Sequence, residues 1–356
     1  MATGPPGLTL SCEGIRLLIH PGNGKAESKT LAAAGAALLN CESMARHGTI
    51  AITDYNWYAS LSQRRSWDEV NFWKPTTTQR FRAPEFSPFF FKLKAPYRAI
   101  AGFGYFSRYS ELPEWLAWDC FGPANGSDSF EEMHTRLQKI RTKIKAAPQP
   151  GILQIGCIVV VNATFFSQDE WVPQPRDWAD SNLRHTVYDL DVGEGARVWS
   201  ECVARIQSTR DLRVAEGTED DQMPRYGSPI LVHPRLGQGA FRVSVTEAYD
   251  RACAVTREHS LPALEAAHIR PFAKEGPHEV RNGLLLRADL HRLFEQGYMT
   301  VTPDYVLNVS DRLRDDYHNG RSYYPLGGTR ISTPTLEAEQ PMRDLLEWHN
   351  QNVFLR

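Results

Sequence analysis

The most constraining stretch of this 356-residue chain lies near its C-terminus. Glu265-Ala-Ala-His268-Ile-Arg-Pro is followed by Arg281-Asn282-Gly-Leu-Leu-Leu, and then by Ala288-Asp289-Leu-His291-Arg-Leu-Phe294. Residues 264–269 read as a short strand that stops at Pro271. Lys274-Glu-Gly276-Pro-His278 reads as a loop punctuated by Gly and Pro. Asp289 reads as a helix N-cap ahead of the apolar spacing Leu290, Leu293, Phe294. His268, Asn282 and His291 thereby fall on a strand end, a loop and a first helical turn of one small unit.

These residue types suit phosphodiester hydrolysis. The reaction needs an activated water and a cation that holds a phosphate oxygen and stabilises the leaving alkoxide. A histidine titrates near working pH and serves as a general base. A second, neutral histidine binds a divalent metal. An Asn between them can lock the intervening loop through its amide. Helix amides beside His291 also favour a bound phosphate.

Residues 235–313 resemble the HNH nucleases with a ββα-metal core, the lead-ins Gln238-Gly-Ala-Phe241-Arg242 and Tyr249-Asp-Arg-Ala-Cys253-Ala-Val-Thr256 included. The resemblance implies His268 as general base, Asn282 as loop scaffold and His291 as metal ligand. Two positions depart from the pattern. Many members carry an Asp or His ligand just before the base, where this chain has Ala267. The second ligand is then Asp289 or Glu265, or is supplied by water and substrate. Many members also carry paired Cys-x-x-Cys motifs. Here Cys253 stands alone with Thr256 at the partner position, so no structural zinc is expected. His259 and His278 read as surface-loop residues, and Arg242 as a phosphate contact or an exposed helix residue.

The rest of the chain bounds the setting. Its length accommodates two cored domains. A formal net charge of -2 excludes a broadly basic nucleic-acid binder, so binding has to depend on where charges sit. Cys12, Cys41, Cys120, Cys157, Cys202 and Cys253 show no disulfide framework, and a reducing cytoplasm is the simplest setting. Secretory-signal and membrane-span patterns are not found, nor a P-loop or dinucleotide fingerprint. Residues 1–48 read as a poorly ordered extension, with Met44 as the natural start. Residues 208–224 read as a polar linker, 225–330 as the nuclease unit closed by a hairpin after Val301, and 331–356 as a tail.

Residues 49–207 carry strand signals at 49–55, 69–72, 88–94, 100–106 and 152–161, with a helix at 130–145. This predicts an α+β protein whose N-terminal part is a small barrel or strongly curved sheet. The rhythm of Trp57-Tyr58, Glu69-Val-Asn71-Phe-Trp73, Pro88-Phe-Phe-Phe-Lys92 and Ile100-Ala-Gly-Phe103 is similar to the PUA-like superfamily, nearest its EVE and ASCH members. That resemblance implies a pocket for a flipped modified base, with Tyr55, Trp57, Trp73 and Phe103 as walls and Asn56, Asn71 and Ser107 as edge readers. The same aromatics fit a core equally well. Lys139 and Lys143 on the 130–145 helix read as contacts to a DNA backbone or as a solvated face.

Together these readings imply a restriction-type endonuclease acting on double-stranded DNA that carries a modified base. Its cation would be Mg²⁺, Mn²⁺, Co²⁺ or Ni²⁺, and a homodimer would cut both strands. Two alternatives stay open: an HNH nuclease that reads ordinary sequence or a backbone modification, and a nucleic-acid-binding module whose nuclease unit has decayed.

Overall fold

The computed structural model describes residues 46–149, 151–179, 181–182, 184–215 and 237–356. The expectations for residues 1–45 of the extension, for Met44 and for most of the linker lie outside them, while the end of the expected extension is corrected: His47 and Gly48 already belong to a strand. Residues 46–356 form one compact unit.

The first half is built on strands β1 (His47–Thr53), β2 (Ser66–Lys74), β3 (Pro88–Leu93), β4 (Ala99–Pro113), β5 (Gln154–Phe165), β6 (Val172–Pro173) and β7 (His185–Asp189). They form a sheet in the order β2-β5-β4-β3-β1-β7, with β6 on β4. β1 runs parallel to β3, and the other pairs are antiparallel. The outer strands β2 and β7 do not pair, so the expected barrel is corrected to an open sheet. The five strands expected from sequence are present, and β4 is longer than its signal because bulges at 103–105 and 106–108 let it bend and continue.

Helices cover both faces of this sheet. α1 (Tyr55–Leu61), α2 (Glu114–Phe121) and α3 (Phe130–Lys143) lie on one side, and α4 (Gly193–Ala215) on the other. The triplet Phe89-Phe90-Phe91 shows why. Side chains alternate along a strand, so Phe89 and Phe91 enter the core under Trp57, Leu116 and Leu137, while Phe90 enters the core under Val198 and Cys202. α3 starts where the Ser129 hydroxyl accepts the Glu132 amide N–H at 3.2 Å. α4 extends to Ala215, so the start of the expected linker is helical.

The second half comprises α5 (Gln238–Ala248), β8 (Leu264–His268), β9 (Gly283–Arg287), α6 (Ala288–Glu295), β10 (Met299–Val301), β11 (Leu307–Val309), α7 (Arg312–Tyr317) and α8 (Arg343–Asn352). β10 and β11 pair antiparallel as the closing hairpin. The tail belongs to this core, since Ile331, Leu345 and Leu346 are buried against Leu284, Leu290 and Phe294.

The halves dock directly. Glu69 on β2 accepts the Gly239 and Ala240 amides at the start of α5. Arg242 pairs with Asp119 at 2.7 Å. Arg251 donates to the Glu111 carbonyl at 2.6 Å.

Candidate nuclease site

β8 and β9 pair antiparallel with His268 opposite Gly283, and α6 follows β9 directly. This places strand end, loop and helix around one point. Asn282 closes the loop between them. Its Oδ1 accepts the Arg270 amide at 2.9 Å, while its Nδ2 donates to the Arg270 carbonyl at 2.8 Å and the Pro277 carbonyl at 2.9 Å. The side chain is fully buried, so each bond replaces water that cannot reach it. Gly276 is required here because a Cβ would lie 1.9 Å from the Arg270 carbonyl oxygen.

His268 ends β8 with its ring face to face with Phe241 of α5, centroids 3.9 Å apart and planes 9° apart. The stack fixes the ring plane. The His268 Nε2 is buried and has no hydrogen-bond partner among the described residues. Burial, then the charges of His278 and His291, push its pKa down to about 4, so the imidazole is neutral at pH 7 and holds a free lone pair. His278 is not a detached surface residue: its ring packs edge-on against His268 at 5.8 Å.

His291 sits in α6, and its Nδ1 lies 2.7 Å from the Glu265 carboxylate. A proton on Nδ1, donated to Glu265, leaves the Nε2 lone pair directed away. That Nε2 is buried without a hydrogen-bond partner, and a Glu295 carboxylate oxygen lies 3.2 Å away. Glu295 is one helical turn beyond His291, on the same face.

Asp289 is placed differently from expectation. The N-cap of α6 is Arg287, and Asp289 lies in the first turn. Its two oxygens accept Arg287 Nε at 3.0 Å and Nη2 at 2.5 Å, which holds its carboxyl below the usual range. The carboxylates beside His291 are Glu265 and Glu295. Among the described residues no three His, Cys, Asp or Glu side chains converge as a metal cluster. The donor set on α6, one imidazole nitrogen and one carboxylate, fits a divalent cation that takes the rest of its shell from water and substrate.

The expected reader residues are partly gathered. Trp57, Asn71 and Trp73 meet around Asn125: Trp57 Nε1 donates to the Asn71 carbonyl at 3.3 Å, Asn71 Nδ2 to Asn125 Oδ1 at 2.9 Å, and Trp73 Nε1 to the Asn125 carbonyl at 2.8 Å. Phe103 lies on the other face of the sheet, against Trp199 and Phe166. Trp57, Asn71 and Phe103 are buried in cores, so these four do not line an open pocket. Lys139 and Lys143 are exposed on α3. Arg242 is taken up by Asp119.

Three contributors escaped the sequence reading: Glu295 on His291, Phe241 on His268, and Glu69 at the start of α5; Glu265, a candidate ligand from sequence, faces His291 Nδ1. The spacing from His291 to Glu295 was a readable signal; the other two are long-range contacts.

Residues 253–302 match the model of the HNH endonuclease family. The match spans His268, Asn282 and His291, and it supports nuclease chemistry for this part of the chain. Among solved structures, the ASCH protein of Zymomonas mobilis is similar at TM-score 0.27 and 9% identity, covering 43% of this chain and 94% of that one. A point mutant of the same protein is similar at TM-score 0.29 and 7% identity, covering 43% and 96%. No curated protein matches the sequence. No helix among the described residues is long and apolar enough to cross a membrane.

Proposed function

We propose that the protein is a divalent-metal-dependent endonuclease of restriction type that cleaves double-stranded DNA carrying a modified base. One observation carries the reading: within one strand-loop-helix unit, His268 and His291 each hold a buried Nε2 without a hydrogen-bond partner among the described residues, on rings fixed by Phe241 and by Glu265. Buried polar atoms are normally paired, and two open imidazole nitrogens beside an amide-locked loop suit a reacting centre.

In the proposed step, His268 Nε2 takes a proton from water as its oxygen attacks phosphorus in line with the 3′ oxygen. The bond from phosphorus to the 3′ oxygen breaks with its electron pair on that oxygen, which takes a proton from solvent, and the products carry 5′-phosphate and 3′-hydroxyl ends. Glu265 keeps the proton of His291 on Nδ1, so that His291 Nε2 and Glu295 present donors to a cation. When bound, Mg²⁺, Mn²⁺, Co²⁺ or Ni²⁺ supplies Lewis-acid stabilisation of the phosphate and the departing oxygen. Asn282 holds the loop so that the two rings keep their relation.

The sheet domain would inspect the DNA. Support comes from its direct docking on α5, the helix that orients His268. Digestion of plasmids bearing unmodified, methylated or hydroxymethylated cytosine tests the reading, and selective cutting of one modified plasmid is expected. Equal cutting of all three would remove the modified-base specificity and leave a nuclease reading ordinary sequence or backbone. Paired breaks that depend on protein concentration would support a dimer acting on both strands.

A further inference from the structure

β3 pairs with β4 only as far as Tyr105, while β4 itself runs on to Pro113. On the side where β3 has ended, the free half of β4 faces residues 80–85 and α5 across a cleft of about 480 Å³. Arg80, Arg82, Glu85, Arg108, Ser110 and Glu247 are among its lining residues.

The cleft has an unusual polar balance. Arg108 is braced on the Ser244 carbonyl and Glu339, and Glu247 is held by Arg251 at 2.9 Å. Arg80 and Arg82 are exposed. Arg80 makes only a cation–π approach to the Tyr109 ring, 5.8 Å from its centroid, and Arg82 has no acidic partner among the described residues. Tyr109 and Ser110 leave opposite faces of β4: the Tyr109 hydroxyl lies over Gly156 of β5, while the Ser110 hydroxyl, in a residue 1% exposed, has no hydrogen-bond partner among the described residues. Two exposed guanidiniums, offset in part by the exposed Glu85 carboxylate, beside the unsatisfied Ser110 hydroxyl match an anion joined to a hydrogen-bonding sugar or base.

Position adds to this. Glu247 lines the cleft and Phe241 stacks on His268, and both belong to α5. Six residues span about 9 Å of helix axis, which is the scale of one to two nucleotides along a strand.

We propose that this cleft is a nucleotide-binding subsite of the nuclease. It seats one unit of the bound DNA strand, with phosphate on Arg80 and Arg82 and the sugar or base edge on Ser110. It fixes the strand relative to His268. The proposal rests on the DNA-nuclease reading above, and its test is one of binding without cleavage.

The full chain is titrated by fluorescence anisotropy with a duplex oligonucleotide in chelator, over about 50 to 200 mM salt. Arg80→Gln/Arg82→Gln is expected to weaken binding about tenfold and to lower the salt slope by about two. Ser110→Ala is expected to weaken binding a few-fold with no loss of melting temperature, since its hydroxyl has no partner among the described residues. Unchanged affinity and slope in the double variant would overturn the subsite, as would a wild type that binds no duplex. Deoxycytidine monophosphate that raises the wild-type melting temperature but not that of the double variant, with duplex binding equal in both, would make the cleft a free-nucleotide pocket and overturn the strand-seating role. Absent nicking in every metal, with binding still dependent on Arg80 and Arg82, would sink the nuclease reading and leave the subsite standing.

Discussion

The carboxylate of Glu69 accepts the Ala240 amide N–H at 2.8 Å, and the neighbouring Gly239 amide donates to it as well. A side chain from the sheet thus satisfies two of the otherwise open amides at the start of α5, and the next residue of that helix, Phe241, lies on His268. The sheet domain and His268, the proposed base, are therefore two contacts apart.

Glu69 makes this docking pH-dependent. Burial raises its pKa to about 7, against the pull of the two amide bonds. A raised carboxyl takes up a proton on folding, so its contribution is full below the ordinary value near 4.5 and is lost as pH rises through about 7. The wild-type melting temperature should fall, relative to Glu69→Gln, between pH 5 and 8, by an amount worth on the order of 2 kcal/mol. A pH-independent difference between the two proteins would show that Glu69 is ionised throughout.

His349 works in the opposite direction. It is 2% exposed, stacks on Phe294 at 3.8 Å and meets the Thr300 hydroxyl at 2.9 Å. Burial lowers its pKa to about 4. The stability tied to its neutral form is present above pH 6.5 and lost as pH falls towards 4, on the order of 3 kcal/mol. Urea midpoints at pH 7.5 and 4.5 should differ more in wild type than in His349→Phe, which keeps the stack without the titration.

Asn282 should be costly to remove. Asn282→Ala leaves the Arg270 amide and the Arg270 and Pro277 carbonyls unpaired inside the loop, at about 2–4 kcal/mol. Chemical denaturation measures this. Nicking activity should fall further than the lost folded fraction accounts for, because the loop no longer holds His268 and His291 in register.

The strand-loop-helix unit was legible because its signals are local: Pro271 stops a strand, Gly276 marks a close turn, and His291 precedes an apolar helix face. The open sheet was not. Strand composition does not encode which strand lies beside which, and the parallel β1–β3 pairing is set by distant packing. The reader aromatics were misplaced for a related reason. Trp57 and Phe103 read identically as pocket walls or as core, and only burial on opposite faces of the sheet separates them. Asp289 read as the N-cap and as one candidate ligand beside Glu265; the structure puts Arg287 at the cap, with both Asp289 oxygens accepting from that arginine.

That placement separates three carboxylates by experiment. Calorimetric titration with Mn²⁺ should show Glu295→Gln and Glu265→Gln weakened about 10- to 100-fold, the first by loss of a donor and the second by loss of the bond that orients His291. Asp289→Asn should bind like wild type and lose under about 1 kcal/mol of stability. Strong loss in Asp289→Asn alone would restore Asp289 as the ligand.

The most direct test of the account is nicking of a supercoiled plasmid across Mg²⁺, Mn²⁺, Co²⁺ and Ni²⁺, using the modified plasmid that wild type prefers, with His268→Ala beside it. Wild type should nick in at least one metal and stop with chelator. His268→Ala should still bind the metal while nicking about 10²- to 10⁴-fold more slowly. Equal nicking by the two proteins, or none by wild type in any of the four metals, would contradict it.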